Sequence, residues 1–381
     1  MIYLDYNATT PVHPGVREAI NQFLAHDFGN PSSGHAKGRV AAMAVASARK
    51  ALGAAIGAAD KDNIVFTGSA TEANNLAILG VAAALPLTHR HIVISAIEHP
   101  AVVEPALQLQ RQGWQLSIAP VTAGGVLDLC AMQALLQQGN VGLVSLMLAN
   151  NELGTLQPVA EVAKLAHTAG ALLHVDAAQA MGKVDVDVAG LGADLLTVAG
   201  HKMYAPKGIG ALYIRHGVAI KPIQFGAGQE GGLRPGTENV AYITGLGVAA
   251  ALAVHNHAAR QVMQQLRDRL QTLLEAGIPG LQVNGALHAR LPNTLHVSLP
   301  RGDGRAVIAL LADDVALSAG AACHADGQPS GVMQAIGATA QQAKGALRLS
   351  LGIDTTAADI NVAARLIVRA TMQHWREQES V

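Results

Sequence analysis

The sequence predicts an α/β fold built around a mainly parallel sheet, and three observations carry that expectation. Apolar runs of strand length alternate with longer stretches of helical pattern over most of the chain. Those runs are nearly continuous Val, Ile and Leu, as in strands covered by helices on both faces. Glycine (40 residues) and alanine are abundant while aromatics make up 3%, so the elements must pack closely through small side chains.

In chain order, strands are expected at Ile64 to Phe66, His91 to Ser95, Val141 to Leu148, Ala171 to Val175, Asp194 to Val198 and Ile209 to Ile214. Helical patterns lie among them at Gly38 to Ile56, Thr71 to Leu85 and Pro158 to Ala169. After about Gly245 the texture changes. A helix there repeats apolar residues at Val262, Leu266, Leu270 and Leu273 and stops at Gly277. Shorter strands are expected near Thr294 to Leu299 and Val315 to Ser318, then a last helix from about Thr356 to His374. A chain of 381 residues exceeds what one core usually holds. The expected division is a large α/β domain over residues 12–250 and a smaller α+β domain made from residues 1–11 and 251–381.

Half of the residues are apolar, 14% are charged and the formal net charge is -1, a balance that points to neither nucleic acid nor a membrane as partner. The start lacks a basic segment followed by an apolar run, and no stretch reaches about 18 uninterrupted apolar residues, so neither export nor a membrane span is expected. The two cysteines, Cys130 and Cys323, form no Cys-x-x-Cys pair, which argues against disulfides or structural zinc and for a reducing cytoplasm. No metal site is expected, since pairs such as His255 and His257 lack further ligands nearby. Cys130 lies inside the helical pattern Asp128 to Leu136, the setting of a small buried hydrophobe.

Open parallel sheets bind ligands at the carboxyl ends of their strands, so the residues after each strand carry the functional reading. Phe66 leads into Thr67-Gly68-Ser69-Ala70-Thr71-Glu72, a glycine turn entering a helix. N–H groups at such a start can hold a phosphate; equally, Ser69 or Thr71 can serve as a simple cap. Ser95 leads to Glu98-His99-Pro100, Leu148 to Asn150-Asn151-Glu152, Val175 to Asp176-Ala177-Ala178-Gln179, and Val198 to Ala199-Gly200-His201-Lys202. A pyridoxal phosphate ring needs an amine to bond its aldehyde, a carboxylate to keep its ring nitrogen protonated, a ring to stack on and donors for its phosphate. Lys202, Asp176, His99, and Thr71 with His201 are the respective candidates. Singly, such a lysine is a solvated charge and such a histidine structural; the coincidence carries the reading. The string Gly226-Ala227-Gly228-Gln229-Glu230-Gly231 matches the dinucleotide fingerprint, but Pro235 and Gly236 disrupt any helix start and no acidic residue lies between Glu238 and Asp268, so the match is accidental.

With these residues the chain resembles the class V aminotransferase family of pyridoxal-phosphate enzymes, fold type I, in its cysteine desulfurase and selenocysteine lyase branch. The likeness runs through Tyr3-Leu4-Asp5-Tyr6-Asn7-Ala8-Thr9-Thr10, Gly29-Asn30-Pro31-Ser32-Ser33, Ala70-Thr71-Glu72-Ala73-Asn74-Asn75, the strand-end motifs above, Arg234-Pro235-Gly236-Thr237-Glu238-Asn239, Gly320-Ala321-Ala322-Cys323 and Ala346-Leu347-Arg348-Leu349-Ser350. It implies a seven-stranded sheet in the large domain and a homodimer. It makes Lys202 the lysine bonded to the cofactor, Asp176 the partner of the ring nitrogen, Gln179 that of the ring hydroxyl, and His99 the stacking ring that also moves protons. Ala70, Thr71 and His201 would hold the phosphate, with Thr237 reaching in from the second subunit, and Gly200 would line the cofactor. Asn151 and Arg348 would take the substrate carboxylate, for which a planar guanidinium is suited. Two positions depart from the family pattern: Ala199, where relatives place a serine on the phosphate, so that one hydroxyl contact is missing or is replaced by water or Thr67, and Ala205, where glycine is usual.

The resemblance also implies the reaction. L-cysteine would become L-alanine, with its sulfur left as a persulfide on Cys323 and passed to an acceptor protein such as those of iron-sulfur or thio-cofactor assembly. Lys202 would remove the Cα proton. Cys323 must attack as a thiolate, helped by His324 or His99, from a loop of flanking glycines and polar residues. The run from Gly320 to His324 equally resembles selenocysteine lyases, so cleavage of L-selenocysteine to alanine and selenide is the alternative. An aminotransferase would share Lys202 and Asp176 without needing Cys323, and a non-catalytic scaffold would bind no cofactor.

Overall fold

Successive side chains of a strand point to opposite faces, so an uninterrupted apolar run feeds two cores at once. Ile64 and Phe66 join one buried cluster and Val65 the other; Val93 is set against Ile92 and Ile94, Val144 against Leu143, and Leu196 against Leu195. A computed structural model, which describes residues 1–254, 256–320 and 330–379, shows the sheet between these cores.

The strands in chain order are β1 (Ile2–Tyr3), β2 (Asn63–Thr67), β3 (His91–Ser95), β4 (Gln115–Ala119), β5 (Val141–Met147), β6 (Leu172–Asp176), β7 (Leu195–Ala199), β8 (Gly210–Ile214), β9 (Gln282–Val283), β10 (Thr294–Ser298), β11 (Val315–Ala316) and β12 (Ala346–Ser350). Seven form the large sheet in the order β2-β8-β7-β6-β5-β3-β4. β8 pairs antiparallel with both its neighbours and every other pairing is parallel, as the continuous apolar runs predict. The ends of β2, β3, β5, β6 and β7 therefore share one edge. The helices Ala70–Ala84 and Pro100–Arg111 line one face, and Ala36–Ala55, Val159–Thr168 and Val240–Val254 line the other.

A third cluster gathers Leu4, Leu266, Leu270, Leu295, Val297, Leu347, Leu349, Ile367 and Trp375 around the antiparallel sheet β12-β10-β9, with β1 parallel to β11 alongside. The helices His257–Gly277 and Ala357–Glu379 pack against each other over it. In the first of these the inward stripe is Met263, Leu266, Leu270 and Leu274, while Val262 is exposed; one step along a helix turns a side chain by about 100°, enough to leave the stripe. Cys130 also departs from expectation. It is exposed at the start of the helix Leu129–Leu136, where Met132 and Leu136 take the buried positions. The dinucleotide-like string forms no strand-to-helix turn: Glu230, in the left-handed region at φ 49°, pairs with Arg49 at 2.8 Å. Among the described residues no helix is long and apolar enough to cross a membrane.

Candidate active site

β6 delivers Asp176 as its last paired residue, opposite Met147 of β5 and Thr197 of β7. The carboxylate is 6% exposed; Asn74, from the helix Ala70–Ala84, donates Nδ2–H to its Oδ2 at 2.7 Å, and the Ala178 N–H donates to Oδ1 at 2.9 Å. Two donors from different elements fix its orientation. Two residues earlier, His174 is wholly buried between the hydroxyls of Ser145 (2.8 Å) and Thr197 (3.0 Å). Burial pushes its pKa down to about 4, so a neutral ring underlies the carboxylate.

After β7 the chain turns through the short 3₁₀ segment Gly200–Lys202. A Cβ at Gly200 would lie 2.7 Å from Ile209 Cγ2 and 2.9 Å from the Ile209 carbonyl oxygen, so only glycine lets the turn press so close. Lys202 Nζ donates to the Asn7 carbonyl and, at 2.7 Å, to that of Ala8. The left-handed residue behind the lysine is Tyr204 (φ 67°), not Ala205, so the alanine there needs no glycine-like backbone. His201 sits 3.2 Å from Thr9 Oγ1, and its carbonyl accepts from the Thr10 N–H. Burial first, then the charges of Lys202, Lys207 and Lys183, push its pKa down to about 4. Its ring is therefore neutral near pH 7.

His99 caps the helix Pro100–Arg111, its Nδ1 accepting the Ala101 N–H at 3.1 Å; in the neutral ring the proton is thus on Nε2. Burial lowers its pKa, the Asp176 carboxylate raises it and Lys202 lowers it, so both of those groups lie within electrostatic reach of the ring. At the start of the helix Ala70–Ala84, Ser69 accepts the Glu72 N–H at 3.1 Å, while Ala70 and Thr71 stand in its first turn. Gly210 of β8 lies beneath: a Cβ there would be 2.6 Å from the Ser69 carbonyl carbon and 2.9 Å from Ala70 N. The Thr67 hydroxyl donates to the Ser69 carbonyl at 2.9 Å, so it does not replace, as a donor, the serine that Ala199 lacks.

Arg348, in the middle of β12, is 3% exposed and donates to Asp5 Oδ1 at 2.7 Å and to the Asn151 carbonyl at 3.1 Å, while its Nε is buried without a partner. Asn7 joins these groups to the rest. Its carbonyl accepts from Lys202 and from Gln179 Nε2 (2.9 Å), and its Nδ2 donates to the Asn151 carbonyl (3.2 Å) and Thr294 Oγ1 (2.9 Å).

Lys202, Asp176, His99, Gln179, Asn151, His201 and Arg348 are thus brought together. Thr237 is not: it is exposed, in the loop before the helix Val240–Val254. Cys323 and His324 lie outside the described residues. Gly320, three positions before Cys323, follows Ser318, whose N–H donates to the Arg348 carbonyl at 3.2 Å, and a Cβ on Gly320 would lie 3.0 Å from Glu152 Oε2. Sequence pattern alone marks no role for Asp5, Asn7, Asn74 or Lys183. The first three stand within the family-like motifs; for Lys183 the only signal is its position four residues after Gln179.

The family model for class V aminotransferases matches residues 2–362, and the chain belongs to that family. It is 44% identical over 364 residues to a cysteine desulfurase of Nostoc sp. (strain PCC 7120), covering 95% of this chain and 90% of that protein. It is 40% identical over 371 residues to the cysteine desulfurase IscS of Dictyoglomus turgidum, covering 97% and 94%. Among solved structures, a NifS-like protein superposes with a TM-score of 0.91 at 34% identity, over 97% of this chain and 99% of that one. The fold is that of the fold type I pyridoxal-phosphate enzymes, and pyridoxal phosphate is the family's cofactor. The residues fit it. A buried carboxylate oriented by two donors, a lysine amine that acts with it on His99, a neutral imidazole, a helix start and a guanidinium with an unpartnered buried Nε form the donor set such a ring, its phosphate and an amino acid need.

Proposed function

We infer that this protein is a pyridoxal-phosphate-dependent cysteine desulfurase, converting L-cysteine to L-alanine and a transferable sulfur. The observation that carries the reading is the convergence of Lys202, Asp176 and His99 in a chain that matches cysteine desulfurases over almost its whole length. Bound in this cleft, the cofactor supplies an electron sink for charge developing at the substrate Cα. Asp176 would keep the ring nitrogen protonated, Gln179 would donate to the ring hydroxyl, and His99 would offer its ring to the cofactor. Ala70, Thr71 and His201 would hold the phosphate, His201 as a neutral donor, with Gly200 beside them. Arg348 and Asn151 take the substrate carboxylate, and Lys202 moves the Cα proton.

Cys323 is the sulfur acceptor. Its thiolate attacks the substrate sulfur; an S–S bond forms as the Cβ–S bond breaks, and Cβ takes a proton, leaving alanine and an enzyme persulfide. Gly320 supports this reading, because three residues of chain span at most about 10 Å and Gly320 adjoins Glu152 and the Arg348 strand. An acceptor protein then receives the sulfur. The chain divides, on this reading, into a large domain over 12–250 and a small one from 1–11 and 251–381; it acts as a homodimer with Thr237 serving the second subunit's phosphate. A reducing cytoplasm suits its free thiol. The relatives, named for cysteine, do not favour the selenocysteine alternative.

The test is product analysis with purified, cofactor-loaded protein. Alanine and sulfide should form from L-cysteine in equal amounts under a thiol reductant, and Cys323→Ala should lose about 10²-fold or more on cysteine while still binding the cofactor. L-selenocysteine run in parallel reads the alternative. A keto acid in place of alanine, or a colourless protein after loading, would sink the proposal.

A further inference from the structure

Lys183 is the unexpected group in this site. It lies in the turn after β6, 7% exposed, and its Nζ donates to Gln179 Oε1 at 2.6 Å and Asn7 Oδ1 at 3.2 Å. Among the described residues no carboxylate lies within ion-pair distance of it. The charges that act on it, from Lys202 after β7 and Arg348 on β12, have its own sign. Burial, then those two charges, hold its pKa well below the ordinary lysine value. A buried amine without a counter-ion costs stability, so an apolar side chain of similar length would serve better if filling space were its only task.

What the amine does instead is donate, which it can do with or without its third proton. A carboxamide has one accepting and one donating end. The main-chain carbonyl of Asn7, which can only accept, takes one N–H from Gln179 Nε2 at 2.9 Å, and Lys183 occupies Oε1. Turned over, the amide would set oxygen against the Asn7 carbonyl and NH₂ against the amine. Asn7 is itself fixed, its Oδ1 also accepting from Asn293 Nδ2 at 3.1 Å and its Nδ2 donating to Thr294 and Asn151.

We propose that Lys183 is a positioning residue for the cofactor ring, holding the Gln179 amide by its oxygen so that its second N–H is presented to the ring hydroxyl. This rests on the reading of Gln179 as that hydroxyl's partner. A donor at the hydroxyl favours its ionised form. Removing Lys183 must therefore raise the pH at which the bound cofactor changes colour; loss of a positive charge, where the amine carries one, acts in the same direction.

The experiment titrates the visible absorbance of the loaded wild type, Lys183→Met and Lys183→Gln against pH. Lys183→Met should move the transition upward by about one pH unit and weaken cofactor retention, while Lys183→Gln, which keeps a donor for Gln179 without the charge, should recover most of the shift. A lowered melting temperature with an unmoved transition in Lys183→Met overturns the proposal. Should that variant fail to fold, a crystal structure of the wild-type holoenzyme decides: Lys183 on the Gln179 oxygen with the amide nitrogen on the ring hydroxyl supports it, and an amide turned from the ring or a lysine bonded elsewhere overturns it. A wild type with no visible band defeats the cofactor reading instead, so the two failures are distinguishable.

Discussion

Glu98 is held as the acid at a pH where carboxyls are ordinarily ionised. It is 8% exposed, and burial pushes its pKa up to about 8 even though the Ser95 hydroxyl (2.5 Å) and the Met147 N–H (3.0 Å) both donate to Oε1 and pull the other way. Its value in the unfolded chain is near 4.5. A raised folded value means the group's contribution is whole below pH 4.5 and is lost as pH climbs to about 8, at up to about 1.4 kcal/mol per pH unit. Glu98→Gln mimics the acid without the titration. Its melting temperature relative to wild type should rise steadily from pH 5 to pH 8, about the window of that titration, as read by thermal unfolding; a constant offset would remove Glu98 as the cause. Residues such as Lys202, Asp176 and His99 were legible because each lies at or just beyond the carboxyl end of a strand. Glu98 was visible beside His99 but not its protonation, which needs the burial that only packing supplies. Asp5 and Asn7 were hidden for another reason: their partners Arg348 and Gln179 stand 343 and 172 positions away.

At the scale of elements, the strands of the large sheet were legible where both faces are buried, and β4, where they are not, was missed. β4 is an edge strand with Ile118 57% exposed, and its Gln-Leu-Ser-Ile-Ala composition offers no continuous run. β12 alternates Leu347 and Leu349 with Arg348 and Ser350, an amphipathic signature, yet all five of its residues are buried because the polar face meets the site. Pattern alone does not separate a polar face turned to water from one turned to a ligand. Where β8 meets the helix Ala70–Ala84 the requirement is spatial. A Cβ at Gly210 would strike the Ser69 and Ala70 backbone, which cannot swing aside as a flexible side chain can. Gly210→Ala should displace that helix start by a few tenths of an ångström and weaken pyridoxal phosphate binding by about tenfold, roughly the lower end of an overpacking penalty. Fluorescence titration of the cofactor-free protein reads this directly. Unchanged affinity would mean the helix start does not hold the phosphate.

The described residues form four buried clusters, and at the site the N-terminal segment ties the large sheet to the small one. Asn7 bonds Lys202 and Gln179 from the large sheet and Thr294 and Asn293 beside the small one, so the lysine's setting depends on both. Thr237 is exposed on the same subunit, which suits a residue that completes a neighbour's site rather than its own. On the proposed reading each site of a dimer draws on both chains. Lys202→Ala should be inactive and Thr237→Ala should hold its cofactor poorly. A dimer of one chain of each kind nevertheless contains one site with an intact Lys202 faced by an intact Thr237. Refolding the two variants together at equal concentrations should therefore restore about a quarter of wild-type activity, since half the dimers are mixed and each holds one good site of two. Placing both substitutions on one chain and mixing it with an equal amount of wild type should leave the mixed dimers inactive, because the remaining lysine then faces the defective threonine, so activity should fall to the quarter that wild-type dimers carry. If Thr237 instead served its own subunit, the first mixture would show no recovery, and the second would keep the intact chain's full share of activity.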